Sequence, residues 1–171
     1  KQWLYVIASI ILLISLLDRY NEVESEENIQ LGKVLVTLSP EKIKLGNVLN
    51  GYGFGGHLIH YNYSTFIDSR AELYGDKFIK KYMDAISIGQ NASKLEILFK
   101  KYNIQWTFFE TALPINTYME TKQDWSKLYQ DKFITLFIKK TIKLQNTILK
   151  QIDQLSNEAK NNKKLSLTLK Q

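Results

Sequence analysis

The chain has 171 residues, 44% apolar and 23% charged, with 8 Gly, 2 Pro and no Cys. That size and apolar fraction fit one domain with a real core, and exclude a disordered, collagen-like or linker-type polymer. The missing cysteines exclude disulfides, thiolate metal sites and a cysteine nucleophile. The formal charge of +6 is unevenly spread. Residues 1–138 hold 15 basic and 15 acidic side chains, whereas residues 139–171 hold eight Lys against Asp153 and Glu158. The tail has neither Arg nor aromatic residues, so nucleic acid is not an expected partner.

In chain order, residues 1–20 come first. Trp3 to Leu17 is apolar except for Ser9 and Ser15, between Lys1 and Asp18-Arg19. As a helix, 15 residues reach roughly 22 Å, short of the roughly 30 Å hydrocarbon core. The run lacks the small-residue cleavage site of a secretory signal and the polar face of a buried core helix. It is therefore expected to be a transmembrane helix, the end of a span beginning upstream of Lys1. A chain starting with Lys rather than Met fits an excerpt of a longer protein. Lys1 and Trp3 suggest a cytoplasmic interfacial anchor, with everything after Leu17 outside the cytoplasm. Residues 21–32, with Glu22, Glu24, Glu26 and Glu27, read as a solvated linker or a helical extension of the span.

Residues 33–140 are expected to form an extracytoplasmic α/β domain. Strands are predicted at 34–38, closed by Ser39-Pro40, and at 46–50, which enters the Gly-rich turn Gly51-Tyr-Gly-Phe-Gly-Gly56. A helical turn follows at 57–61, and the β-branched, aromatic stretch 64–68 reads as a strand. Helices are predicted at 72–88 and 93–101, the second opened by a Ser93/Glu96 capping box. Strands at 105–110, 125–130 and 133–139, with a helix at 115–120, complete the domain. The last two strands are joined by the turn Asp131-Lys132. Strands alternating with helices and ending in an antiparallel hairpin predict a mixed-sheet α/β sandwich. In the tail, 141–171, Leu144, Ile148, Ile152, Leu155 and Ala159 make one stripe of an amphipathic helix. Packing on its own domain, lying on a membrane surface, pairing with a partner helix and a disordered tail all remain open for it.

Three constellations could carry chemistry. The glycine turn at 51–56, with Gly55 and Gly56 at its exit, exposes backbone N–H groups that could hold an anion. It matches neither a dinucleotide fingerprint nor a P-loop, and close packing alone would also require glycines. His57 and His60 share a helix face, but two histidines without an HExxH pattern make a weak metal site, so no metal and no cofactor are expected in this stretch. Phe66 to Asp76 delivers Asp68, Arg70, Glu72 and Tyr74 to a strand end, where α/β sheets place ligands. Asp68 and Arg70 could pair with each other, or Arg70 could grip a phosphate or carboxylate while the acids orient it or receive hydroxyls.

Val48-Leu-Asn50, Phe54-Gly-Gly-His-Leu-Ile59 and Phe66-Ile-Asp-Ser-Arg-Ala-Glu-Leu-Tyr-Gly-Asp76 resemble the C-terminal extracytoplasmic domain of bacterial polytopic membrane glycosyltransferase-like proteins. Tyr102-Asn-Ile-Gln-Trp106 and Trp125-Ser-Lys-Leu-Tyr-Gln-Asp131 fit the same pattern, which spans about residues 45–139. The resemblance implies a small α/β domain in the cytoplasmic membrane, on its periplasmic side. That domain would be accessory to sugar transfer from a lipid-linked donor, with membrane lipid and the donor or acceptor as partners. Catalytic carboxylates are then expected upstream of Lys1, so none is assigned here. A looser similarity links Gly51-Tyr-Gly-Phe-Gly to the Trp-Trp-Asp-Tyr-Gly turn of oligosaccharyltransferases, but both Trp and the Asp are missing. The alternative is a single-span anchored binding or assembly module without catalysis.

Overall fold

The computed structural model describes residues 2–39, 43–88 and 92–168. Its first element, α1 (Gln2–Thr37), is one unbroken helix of 36 residues. The apolar run forms its first half, and the acidic stretch continues it as a helical extension. The transmembrane helix expected at residues 1–20 is not supported: among the described residues, no helix is long and apolar enough to cross a membrane. The second half of α1 belongs to the domain. Leu31, Val34, Leu35 and Leu38 are 0% exposed, and each adds about 1.5–3 kcal/mol of burial. Residues 34–37, expected with Leu38 as a strand, are therefore the last turn of α1, and Leu38 lies in the turn that follows. Their 31/34/35/38 spacing is the helical i, i+3, i+4, i+7 pattern, and it outweighs the β-branched preference of Val34, Val36 and Thr37.

Four strands follow: β1 (Asn47–Asn50), β2 (Ile104–Glu110), β3 (Trp125–Gln130) and β4 (Ile134–Lys139). They form a sheet in the order β1-β2-β4-β3. β1 runs parallel to β2, while β2–β4 and β3–β4 are antiparallel, so the sheet is mixed as expected. Helices cover both faces. On one face α1, α2 (Gly55–His60) and α7 (Asn146–Thr168) pack over Trp106, Phe108, Leu136 and Ile138. On the other, α4 (Asp76–Ile86), α5 (Ser93–Lys101) and α6 (Pro114–Glu120) pack over Leu49, Phe109, Trp125 and Phe137. Side chains alternate between the two cores along β4, as the two-residue period requires. Ile148 and Ile152 of α7 are buried, so the tail's stripe packs on its own domain.

Three further expectations change. Residues 64–68 are not a strand: among the described residues no backbone ladder pairs with them, and Asn50 reaches across instead. Its Nδ2 donates to Ile67 O (2.8 Å), and its Oδ1 accepts from Phe66 N (2.9 Å) and Thr65 Oγ1 (3.0 Å). The helix expected at 72–88 is two, α3 (Ala71–Tyr74) and α4, divided at Gly75 with φ 73° and ψ 151°. That region is essentially reserved for glycine and cannot lie inside a helix. The cap position is also displaced from the expected Ser93 to Ala92. Ser93 is the first helical residue after Ala92, and Glu96 instead accepts from Tyr118 Oη (2.7 Å) and Lys122 Nζ (2.8 Å).

Candidate functional site

The direction of α1 decides what the site faces. Glu26 pairs with Lys132 in the β3–β4 turn, and Asn28 Oδ1 meets His57 Nε2 of α2 at 2.8 Å. Further along, Leu35 O accepts from Tyr63 Oη (2.9 Å), and Tyr63 packs on Trp106 near the start of β2. α1 therefore runs antiparallel to β1 and β2. Its apolar half projects past the carboxyl ends of those parallel strands, the end where open α/β sheets bind ligands.

At that end β1 passes into the glycine turn through Asn50. The Gly51 N–H donates to Phe108 O (2.8 Å), a 3₁₀ turn covers Tyr52–Phe54, and α2 starts at Gly55. Gly55 is a packing glycine. A Cβ there would overlap Ile67 O and Asp68 Cβ and lie 2.5 Å from Asp68 Cα. Nothing lies within 4 Å of a Cβ at Gly56. The turn thus supplies close approach between α2 and the 65–68 segment. With α2 only six residues long, the helix end offers no anion site of its own.

Asp68 lies beneath this contact, with its side chain 2% exposed, under an Arg70 side chain that is 57% exposed. Asp68 Oδ1 accepts from Arg70 N (2.9 Å) and Nε (3.0 Å), and Oδ2 accepts from Nη2 (2.6 Å). These bonds from Arg70 hold the Asp68 carboxyl far below the usual range, against the opposing effect of burial, and the Tyr74 hydroxyl adds to the lowering. The Tyr74 hydroxyl is itself pushed up, by burial first and by Asp68 second. Tyr74 stacks on Phe78 at 5.5 Å, and Glu72 is exposed, close enough to raise Arg70 further. Of the expected site residues, Asp68, Arg70 and Tyr74 form one closed cluster with Gly55 against it; Glu72 acts on Arg70 only through its charge, and Gly56 faces open space. The guanidinium's Nε and one Nη are committed to Asp68, which leaves its other donors facing solvent.

The sequence reading passed over Glu110, the last residue of β2 and a lone carboxylate ending the apolar strand Trp-Thr-Phe-Phe. Its Oε2 is buried without a hydrogen-bond partner among the described residues. Gly51 lies directly against it, since a Cβ there would overlap Oε2. Burial raises the Glu110 carboxyl above its ordinary value. Nearby, Asn116 Nδ2 donates to Glu110 O (2.7 Å) and Thr111 O (3.2 Å), leaving Asn116 Oδ1 buried and unpartnered. Two unsatisfied acceptors therefore sit at the end of β2. Each represents about 1–3 kcal/mol recovered if a donor reaches it.

No protein family, curated protein or solved structure matches this chain. Among the described residues, no three His, Asp or Glu side chains are grouped to hold a metal ion. His57 is engaged by Asn28, and His60 stands edge-on to Tyr61 at 4.9 Å.

Proposed function

We propose that this chain is a membrane-anchored α/β module, held outside the cytoplasm with the carboxyl ends of β1 and β2 turned toward the bilayer. In that position it serves sugar transfer from a lipid-linked donor as an accessory domain of a glycosyltransferase-like membrane protein. One juxtaposition carries the reading: the apolar half of α1 leaves the domain at the end holding Glu110 Oε2, Asn116 Oδ1 and the glycine turn. Large apolar side chains cover all sides of that half-helix, with exposures from 50% at Val6 to 79% at Trp3. A helix apolar all round is at home in lipid rather than water.

The closed Asp68–Arg70–Tyr74 cluster favours a second reading, a single-span anchored binding or assembly module, because those charges stabilise a loop rather than await a substrate. Two experiments test these readings: the first tests the anchor common to both, and the second separates them. Flotation with phosphatidylcholine liposomes is expected to bring the chain to the top fraction. Ile10→Lys with Leu13→Lys should leave it at the bottom, each charge opposing insertion by about 2.5–3.5 kcal/mol. Flotation of the double variant equal to wild type overturns the anchor. A photo-crosslinker at Tyr52 in membranes supplied with lipid-linked saccharide should capture the saccharide. Crosslinks to protein alone would replace transfer with assembly.

A further inference from the structure

Away from the bilayer-facing end, α4 and α5 leave an opening of about 270 Å³ floored by Phe66, Phe78, Tyr82, Leu98 and Tyr102. Its rim carries Lys81, Lys94 and Lys101, with Asp84 the one acid among its lining residues. We infer that this pocket binds a small aromatic carboxylate, with the ring against the aromatic floor and the anion at the lysine rim.

The floor has the shape and chemistry for a planar ring. Phe66 stacks on Phe78 at 5.4 Å and meets Tyr102 edge-on at 5.0 Å, so an inserted ring would extend an aromatic array already formed. The Tyr82 hydroxyl is turned inward to Asn50 O (2.8 Å), so this residue adds ring surface rather than a polar wall. The volume exceeds the roughly 150 Å³ that holds one benzene. It lies just below the roughly 300 Å³ at which drug-sized sites begin. A one- or two-ring compound fits.

The rim selects the charge. Asp84 is occupied, accepting from Lys94 (3.0 Å) and facing Lys80 (3.7 Å). Among the described residues, Lys81 and Lys101 make no ion pair, and Lys101 lies over the Tyr102 ring at 5.0 Å from its centre. A carboxylate at the mouth would meet two cations without an ion-pair partner among the described residues, whereas a cationic ligand would meet repulsion. Ile97, exposed on α5, adds apolar surface beside them.

The test uses the full chain in phosphatidylcholine nanodiscs, titrated calorimetrically with 2-naphthoate, with empty nanodiscs subtracted. Saturable binding is expected, with neutral 2-naphthol and decanoate both weaker. Lys81→Ala with Lys101→Ala should weaken naphthoate about tenfold, as two rim ion pairs would predict, and leave naphthol within about twofold. Ile97→Glu, an exposed change that leaves the core intact, should abolish naphthoate binding. Four results each overturn the inference: no saturation, naphthol equal to naphthoate, decanoate equal to naphthoate, or lysine variants equal to wild type.

Discussion

Two adjacent glycines should respond to the same substitution with opposite signs. Gly55 has φ −59° and ψ −42°, so alanine is conformationally welcome there and any loss must be steric. The added methyl would meet Ile67 O and the Asp68 backbone, atoms that Asn50 holds in place through its bonds to Phe66 and Ile67. Overpacking of this kind costs about 1–3 kcal/mol. Losing the Asn50–Ile67 bond would add about 0.5–1.5 kcal/mol, while replacing glycine returns about 0.4–1 kcal/mol by narrowing the unfolded ensemble. Gly55→Ala should therefore destabilise by roughly 1–3 kcal/mol, lowering Tm by roughly 2–12 °C for a chain of this size. At Gly56 the methyl meets open space, so Gly56→Ala should gain about 0.4–1 kcal/mol. Thermal unfolding of both variants in phosphatidylcholine nanodiscs, followed by near-UV circular dichroism, reads the difference. A Gly55→Ala protein as stable as wild type, or equal shifts of one sign in both, would refute the claim that α2 is seated on the 65–68 backbone.

Other perturbations test the remaining parts. Leu31→Ala should cost about 2–5 kcal/mol, because α1 is part of the core; a urea midpoint like that of wild type would return residues 21–32 to linker status. Gly75→Ala should lose about 1–3 kcal/mol from backbone strain alone, since no atom lies within 4 Å of its Cβ position; a neutral result would place the α3–α4 break elsewhere. The two carboxylates at the site end should titrate stability in opposite directions. Asp68, with a lowered folded-state pKa, contributes stability that is present above its unfolded value of about 3.9 and fades as pH falls below it, so Asp68→Asn should flatten the acid limb of the stability curve. Glu110, with a raised folded-state pKa, is penalised at neutral pH and unpenalised below about pH 4.3, so Glu110→Gln should stabilise at pH 7 and lose that advantage on acidification. A stability gain from Glu110→Gln that grows toward acid pH would invert this account.

Much of the fold could be read from local pattern, and the exceptions share one cause. β3 at 125–130 and α5 at 93–101 were expected where they occur, and β2, β4 and α6 fall within a residue of expectation. Their hydrophobic period and boundary residues point the same way. Val34 to Leu38 misled because five residues read alone favour a strand, while the register that governs them starts at Leu31. Thr65 to Ile67 has strand composition, yet its backbone groups are met by one side-chain amide, Asn50, sixteen residues away from Phe66. Composition cannot signal such a partner. The Asp68–Arg70 pair was legible from spacing. Glu110 was not, because its significance comes from Gly51 lying against it across the β1–β2 pairing, a contact between residues 59 positions apart.

The unbroken course of α1 also acts as a protractor. A helix turns about 100° and rises about 1.5 Å per residue. The number of residues between Leu17 and Asn28 therefore fixes which way the sheet end points relative to anything bound by the apolar half of α1. Inserting one helical residue there would swing the domain by about 100° while lifting it about 1.5 Å. Inserting seven would restore its heading to within about 20° and raise it by roughly 10 Å. A partner in the bilayer that reads orientation would reject the first insertion and tolerate the second. A ligand that reads only height would do the reverse.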